Sequence, residues 1–138
     1  MVEAPLVELT QRLRERGIQP TPQRLLVAEC LSKAKGTHPT ADDVLRLVRR
    51  KWPAVSRATV YNTLNLFAEK GLVRRQTLRE GIAVFDPTPD PHHHLVDVES
   101  GEIVDLPADS LRVEGLDRIE GYDVVEVSVV VRGKRRRS

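Results

Sequence analysis

One cysteine, Cys30, is all this 138-residue chain contains. A lone thiol excludes an intrachain disulfide and an all-cysteine zinc site within one chain, and it fits a reducing compartment, so a cytoplasmic location is expected. Cys30 stands among Leu26, Val27 and Leu31 with no group nearby in sequence to depress its pKa, which points to a buried, inert thiol. No apolar run approaches the roughly eighteen residues needed to cross a bilayer, so no membrane partner is expected. The amino terminus carries acids where a secretory leader would be basic, then apolar, then small. No internal repeat is visible, and only residues 134–137, Lys-Arg-Arg-Arg, are compositionally biased; the basic tail from Arg132 to Arg137 reads as a loose, solvated end in preference to a phosphate-binding arm.

Net charge is also scarce at +2, yet its distribution is uneven. Residues 1–86 hold 15 Lys and Arg against 9 Asp and Glu, whereas residues 87–138 hold 7 against 11. The two parts are therefore expected to meet different partners, and a basic first part suits a polyphosphate backbone. The length permits one ordinary domain or two small ones. The proline-rich stretch Pro87, Pro89, Pro91 is the natural boundary, which gives a first domain at residues 1–86, a hinge at 87–91 and a second domain at 92–138.

Helical periodicity dominates the first part. Leu6, Leu9 and Leu13 form one apolar stripe that Gly17 ends. Thr21-Pro22 reads as an N-cap followed by proline at the first helical position, opening a helix that runs to about Ala34, before Gly36. Thr40 caps a third helix, with Asp42 and Asp43 in its first turn complementing the helix dipole, Ala41, Val44, Leu45 and Val48 buried, and Pro53 as its end. Ser56 caps a fourth, with Val60, Leu64 and Phe67 inward and Gly71 as the stop. Residues 72–77 and 82–86 flank Arg79-Glu80-Gly81 as a hairpin. Helices followed by such a hairpin make a winged helix-turn-helix. In the second part, residues 95–98 and 102–106 flank Ser100-Gly101, residues 108–119 suit a helix, and 124–131 are strongly β-prone. The fold class expected is α+β: an N-terminal winged helix-turn-helix followed by a small α/β domain.

The chain has only four histidines, and three are consecutive: His92, His93 and His94, with His38 far upstream. On an extended segment His92 and His94 share one face while His93 points to the other. Asp86 and Asp105 are acids near enough in sequence to join them. Imidazoles and carboxylates without a thiolate suit Fe(II), Mn(II) or Zn(II) better than Cu(I) or an iron-sulfur cluster. The competing reading is a solvated histidine-rich loop flanked by ordinary surface acids, since histidine tracts are a loose signal.

On the fourth helix, Arg57, Tyr61 and Asn65 fall on an exposed stripe with Asn62 on its shoulder. Asparagine pairs with an adenine edge, arginine with a guanine edge, and tyrosine with phosphate or a thymine methyl. Arg74, Arg75 and Arg79 on the hairpin and Arg24 on the second helix would meet phosphates. A polar stripe alone is equally consistent with a solvated helix face; the hairpin and the charge split favour DNA.

The runs His38-Pro39-Thr40-Ala41-Asp42-Asp43 and Ser56-Arg57-Ala58-Thr59-Val60-Tyr61-Asn62-Thr63-Leu64, followed by the histidine segment, resemble the ferric uptake regulator family over about residues 5–131. The resemblance implies a bacterial metal-responsive repressor with a winged-helix DNA-binding lobe and an α/β dimerisation lobe. Within the family the chain is similar to the peroxide-sensing branch, which has aspartate at both acid positions of the regulatory site, here Asp86 and Asp105, and asparagine after the Ala-Thr-Val-Tyr run, here Asn62. By this resemblance the regulatory ligands are His38, Asp86, His92, His94 and Asp105, holding Fe(II) or Mn(II) at one site per chain, with Zn(II) as an in vitro substitute. His38 and His92 are the imidazoles that iron-catalysed peroxide oxidation is expected to modify.

Two departures qualify the match. Asp97 and Ser100 occupy the places of the family's first structural-zinc cysteine pair, and the chain reaches its basic tail where the second would lie, so no structural zinc is expected. A further family metal site is broken, because Pro91 replaces a histidine and none follows His94, which leaves His93 a bystander. The expected function is a metal-dependent repressor binding a palindromic double-stranded DNA operator as a homodimer and sensing hydrogen peroxide, not an enzyme. The alternative is an iron, manganese or zinc uptake regulator of the same family without peroxide sensing. A metallohydrolase is disfavoured for want of a spare general acid or base. A metal-independent DNA-binding module is the remaining rival.

Overall fold

A computed structural model describes residues 5–34, 37–79, 81–87 and 92–137. The chain divides into two compact units, Met1–Pro89 and Asp90–Ser138. Of the hinge expected at residues 87–91, all but Pro87 lies outside the described residues, as do Gly36, Glu80 and Pro91.

The first unit opens with four helices, α1 (Leu6–Glu15), α2 (Pro22–Lys33), α3 (Ala41–Lys51) and α4 (Arg57–Glu69). Their starts follow local chemistry. Thr21 accepts a hydrogen bond from the Arg24 N–H with Pro22 just inside α2. Thr40 and Asp43 form a reciprocal capping box: Thr40 Oγ1 accepts from the Asp43 N–H (3.1 Å) and Asp43 Oδ2 from the Thr40 N–H (2.9 Å). Ser56 accepts from the Thr59 N–H to cap α4. Gly71, at φ 76°, supplies the left-handed turn after α4 that a side chain would resist.

Leu9, Leu13, Ile18, Val27, Val44, Val48, Val60, Leu64 and Phe67 interlock in one apolar core. Burying such side chains contributes about 1.5–3 kcal/mol each. Leu6, expected on the same stripe as Leu9 and Leu13, is largely exposed, because it sits on the first turn of α1 beyond the reach of the other helices. Cys30 is buried among these residues. The hairpin pairs β1 (Arg74–Arg79) with β2 (Ile82–Asp86) in antiparallel register, with an irregularity between Thr77 and Arg79. Its first strand begins and ends two residues later than expected from sequence, since Leu72 and Val73 are taken up in closing α4, where both N–H groups donate to the Phe67 carbonyl.

The second unit is a three-stranded sheet ordered β4-β3-β5, from β3 (His92–Asp97), β4 (Ile103–Pro107) and β5 (Val130–Gly133). β3 pairs antiparallel with β4 and parallel with β5. The helix expected over residues 108–119 is absent; two 3-10 turns, Ala108–Ser110 and Leu116–Arg118, stand there instead. Gly115, at φ 86°, breaks the segment, and a short helix needs a packed face for stability, whereas Val113 and Ile119 are exposed. The β-prone run at 124–131 is likewise in register with β3 only from Val130, opposite His94; one residue earlier, the Val129 N–H is taken by the His93 side chain. The basic tail is less loose than expected: Arg132 lies in β5, and Arg135 pairs with Glu102 at 3.0 Å. No helix among the described residues is long and apolar enough to cross a membrane.

Candidate metal centre and nucleic-acid interface

Among the described residues, side chains of the kind that can hold a metal come together within each unit. In the first, an isolated antiparallel bridge joins Thr40 to Val84, and the Phe85 N–H donates to the Pro39 carbonyl at 2.8 Å. The same register carries His38 opposite Asp86, whose ligand atoms lie within 4.8 Å of each other. Asp86 is fully buried and His38 half-buried.

In the second unit, the alternation of β3 puts His92 and His94 on one face, with ring centroids 4.5 Å apart. Asp105 stands directly across from His94 in the β3–β4 register. Its Oδ1 lies 3.2 Å from His92 Nε2 and 3.5 Å from His94 Nε2. His94 is fully buried on the central strand, while the Asp105 side chain is 37% exposed. Two imidazoles therefore converge on one carboxylate oxygen, a set of nitrogen and oxygen donors that fits a borderline-to-hard divalent ion. His93 turns to the opposite face, and its Nδ1 accepts the Val129 N–H at 3.1 Å. That structural role went unread in the sequence because the partner is 36 residues away.

At Asp97 and Ser100 the donors do not fit a thiolate zinc site. Asp97 Oδ1 accepts the Glu99 N–H (2.9 Å) and the Ser100 N–H (3.2 Å), and the Gly101 N–H donates to the Asp97 carbonyl. These backbone donors, Glu99 first, then Ser100, hold the Asp97 carboxyl below the usual carboxylate range.

The groove-reading candidates lie on α4 and nearby. Val60, Leu64 and Phe67 are fully buried, leaving Arg57, Asn62 and Asn65 exposed. Tyr61 is half-buried against the core rather than wholly on the outer stripe. Its hydroxyl donates to Asp42 Oδ1 at 3.1 Å, and Arg57 Nη1 bonds the same oxygen. Asp42 was legible in the sequence only as a dipole partner for α3, since its side-chain partners lie 15 and 19 residues away. Arg75 is exposed on β1 and Arg74 half-buried beside it. Arg24 folds its Nη1 back onto the Gln19 carbonyl at 2.9 Å.

Residues 15–132 match the sequence profile of the ferric uptake regulator family. The chain is 38% identical over 115 residues to the peroxide operon regulator of Bacillus subtilis (strain 168), covering 83% of this chain and 75% of that protein. It is 36% identical over 105 residues to the peroxide-responsive repressor PerR of Staphylococcus aureus (strain Mu50 / ATCC 700699), covering 76% and 70%. Among solved structures, the ferric uptake regulator of Pseudomonas aeruginosa with manganese superposes with a TM-score of 0.77 at 28% identity, covering 99% of this chain and 100% of that one. The Campylobacter jejuni peroxide stress regulator does so at 0.67 and 28%, covering 97% and 98%. The profile match spans most of the sequence, and the chain belongs to the ferric uptake regulator family of metal-dependent regulators.

Proposed function

We propose that this protein is a metal-dependent DNA-binding repressor that responds to hydrogen peroxide. The observation that carries the metal reading is the convergence of His92 Nε2 and His94 Nε2 on Asp105 Oδ1. In the proposal, one Fe(II) or Mn(II) ion per chain takes ligands from His38, Asp86, His92, His94 and Asp105, and no structural zinc is held. Support for peroxide sensing comes from the aspartates at both acid positions and from the likeness to the Bacillus subtilis and Staphylococcus aureus peroxide regulators.

Fe(II) held by these residues would supply the electron that cleaves the oxygen–oxygen bond of hydrogen peroxide, itself becoming Fe(III). The imidazoles of His38 and His92 are the groups proposed to take up oxygen, after which they hold metal poorly. Arg57, Tyr61, Asn62 and Asn65 would face base edges, and Arg24, Arg74 and Arg75 phosphates, with a homodimer on a palindromic operator. The exposed Tyr122, Val124 and Val125 of the second unit are apolar surface of the kind a partner chain covers.

Mass spectrometry of Fe(II)-loaded protein treated with peroxide tests this reading. Oxygen addition on His38 or His92, absent from the Mn(II)-loaded form, is expected; unmodified histidines together with intact DNA binding would overturn peroxide sensing. A second reading, a metal-uptake regulator without peroxide sensing, is favoured by the higher TM-score to the Pseudomonas aeruginosa protein. The order of metal affinities, read out by DNA binding, separates the two.

A further inference from the structure

Asp42 and Asp43 are adjacent acids in the first turn of α3, and they are used differently. Asp43 closes the capping box and pairs with Arg46, so the helix end is served without Asp42. Asp42 instead reaches α4, where its Oδ1 accepts from Arg57 Nη1 and, at 3.1 Å, from the Tyr61 hydroxyl. Arg57 Nη1 is itself 3.3 Å from the Tyr61 oxygen, and the guanidinium carbon lies 5.7 Å from the Tyr61 ring centroid. One carboxylate oxygen thus holds two side chains that stand a turn apart on α4.

The Asp42 carboxyl is held below the usual range, first by the Arg57 hydrogen bond and then by Tyr61. The charged form of the carboxyl is thereby favoured. Side-chain exposure of 59% for Arg57 and 52% for Asp42 makes the pair a weak contributor to stability. What it does accomplish is order. An arginine has more rotamer freedom to lose on binding than almost any other side chain, and fixing it beforehand lowers that loss. Only Nη1 is engaged among the described residues, so Nη2 and Nε remain for a base edge. A carboxylate beside a groove-facing helix also repels phosphate whatever the sequence.

We propose that Asp42 is a positioning residue for DNA reading, presetting Arg57 and Tyr61 for the base edges of one sequence while its charge weakens attachment to all others. The proposal rests on the DNA-binding reading above. Specificity of this kind combines a favoured partner with a penalty on the rest.

The test compares manganese-loaded wild type with Asp42→Asn, Asp42→Glu, Tyr61→Phe and the double variant Asp42→Asn/Tyr61→Phe. The probes are a duplex enriched by the wild-type protein from a random-sequence library and a scrambled duplex of the same composition, at one salt concentration. Asp42→Asn is expected to lower the ratio of the two affinities by roughly three- to tenfold. The enriched duplex should bind less tightly and the scrambled one equally or more tightly. Asp42→Glu should recover part of the ratio, and the double variant should lose less than the product of the single losses. A purely structural role would shift the melting temperature and leave the ratio alone, which would overturn the proposal. So would tighter binding of the enriched duplex by Asp42→Asn, the mark of a simple competing anion. Should Asp42→Asn not fold, an unchanged ratio in both Asp42→Glu and Tyr61→Phe overturns it equally. Failure of wild type to enrich any duplex brings down the DNA-binding reading and this proposal together, whereas an enriched duplex with an unaltered ratio defeats the proposal alone.

Discussion

His92, His93 and His94 are three copies of one side chain put to two uses, because a strand turns each successive residue to the other face. His93 is buried, and its Nδ1 satisfies the Val129 N–H. His93→Leu should leave that donor without its acceptor and cost about 1–3 kcal/mol, read as a lowered melting temperature, while manganese stoichiometry by titration stays the same. Asp105 is the reverse case, since its oxygen faces both His92 and His94. Asp105→Asn removes the charge and is expected to weaken manganese binding about tenfold or more in a titration, with little change in the melting of metal-free protein. A tenfold drop on His93→Leu, or none on Asp105→Asn, would contradict this division of labour. The pairing of His92 with His94 was legible from spacing alone. The partners of His93 and Asp42 were not, because hydrogen bonds spanning 15 to 36 residues leave no local signature.

Among the elements, the first unit follows its sequence closely and the second does not, for one physical reason. Caps and turns are decided by neighbours: Thr21 with Pro22, Thr40 with Asp43, and Ser56 with Thr59 sit within three residues of each other. Thr40→Ala is expected to cost about 1 kcal/mol in chemical denaturation. Strand pairing in the second unit is decided at a distance, so residues 108–119, which offer helical spacing but no packed face, form 3-10 turns. The β-prone run at 124–131 becomes a short strand only from Val130, opposite His94 on β3. The turn after β3 is stabilised by its own aspartate, with Asp97 accepting two backbone N–H groups. Because its folded-state pKa is depressed, the stability it adds is present above the range where an unfolded aspartate titrates. That stability is lost as the pH falls through the lower value of the folded protein. Asp97→Asn should therefore melt below wild type at neutral pH, with the gap closing in acid; a gap that persists there would show that charge is not the cause.

At the scale of the molecule, the chain joins a basic unit built on helices to an acidic one built on a sheet. Charge and the prolines, both properties of composition, led to a boundary expected at residues 87–91. The five residues proposed as metal ligands were named through their family spacing, because His38 is too far from the histidine run for periodicity to connect them. In the proposed function, one ion takes its ligands from His38, Asp86, His92, His94 and Asp105 and thereby links metal occupancy to DNA affinity. Linkage is reciprocal, and a coupling of about 1–3 kcal/mol corresponds to a change of roughly 5- to 150-fold. The most direct measurement is the affinity for an enriched duplex with saturating manganese and again with chelator, repeated for His38→Ala and His92→Ala. The expected result is a gain within that range on adding manganese to wild type and its loss in both variants, one from each unit. Equal affinity with and without manganese, or a gain that survives His38→Ala, would contradict the account.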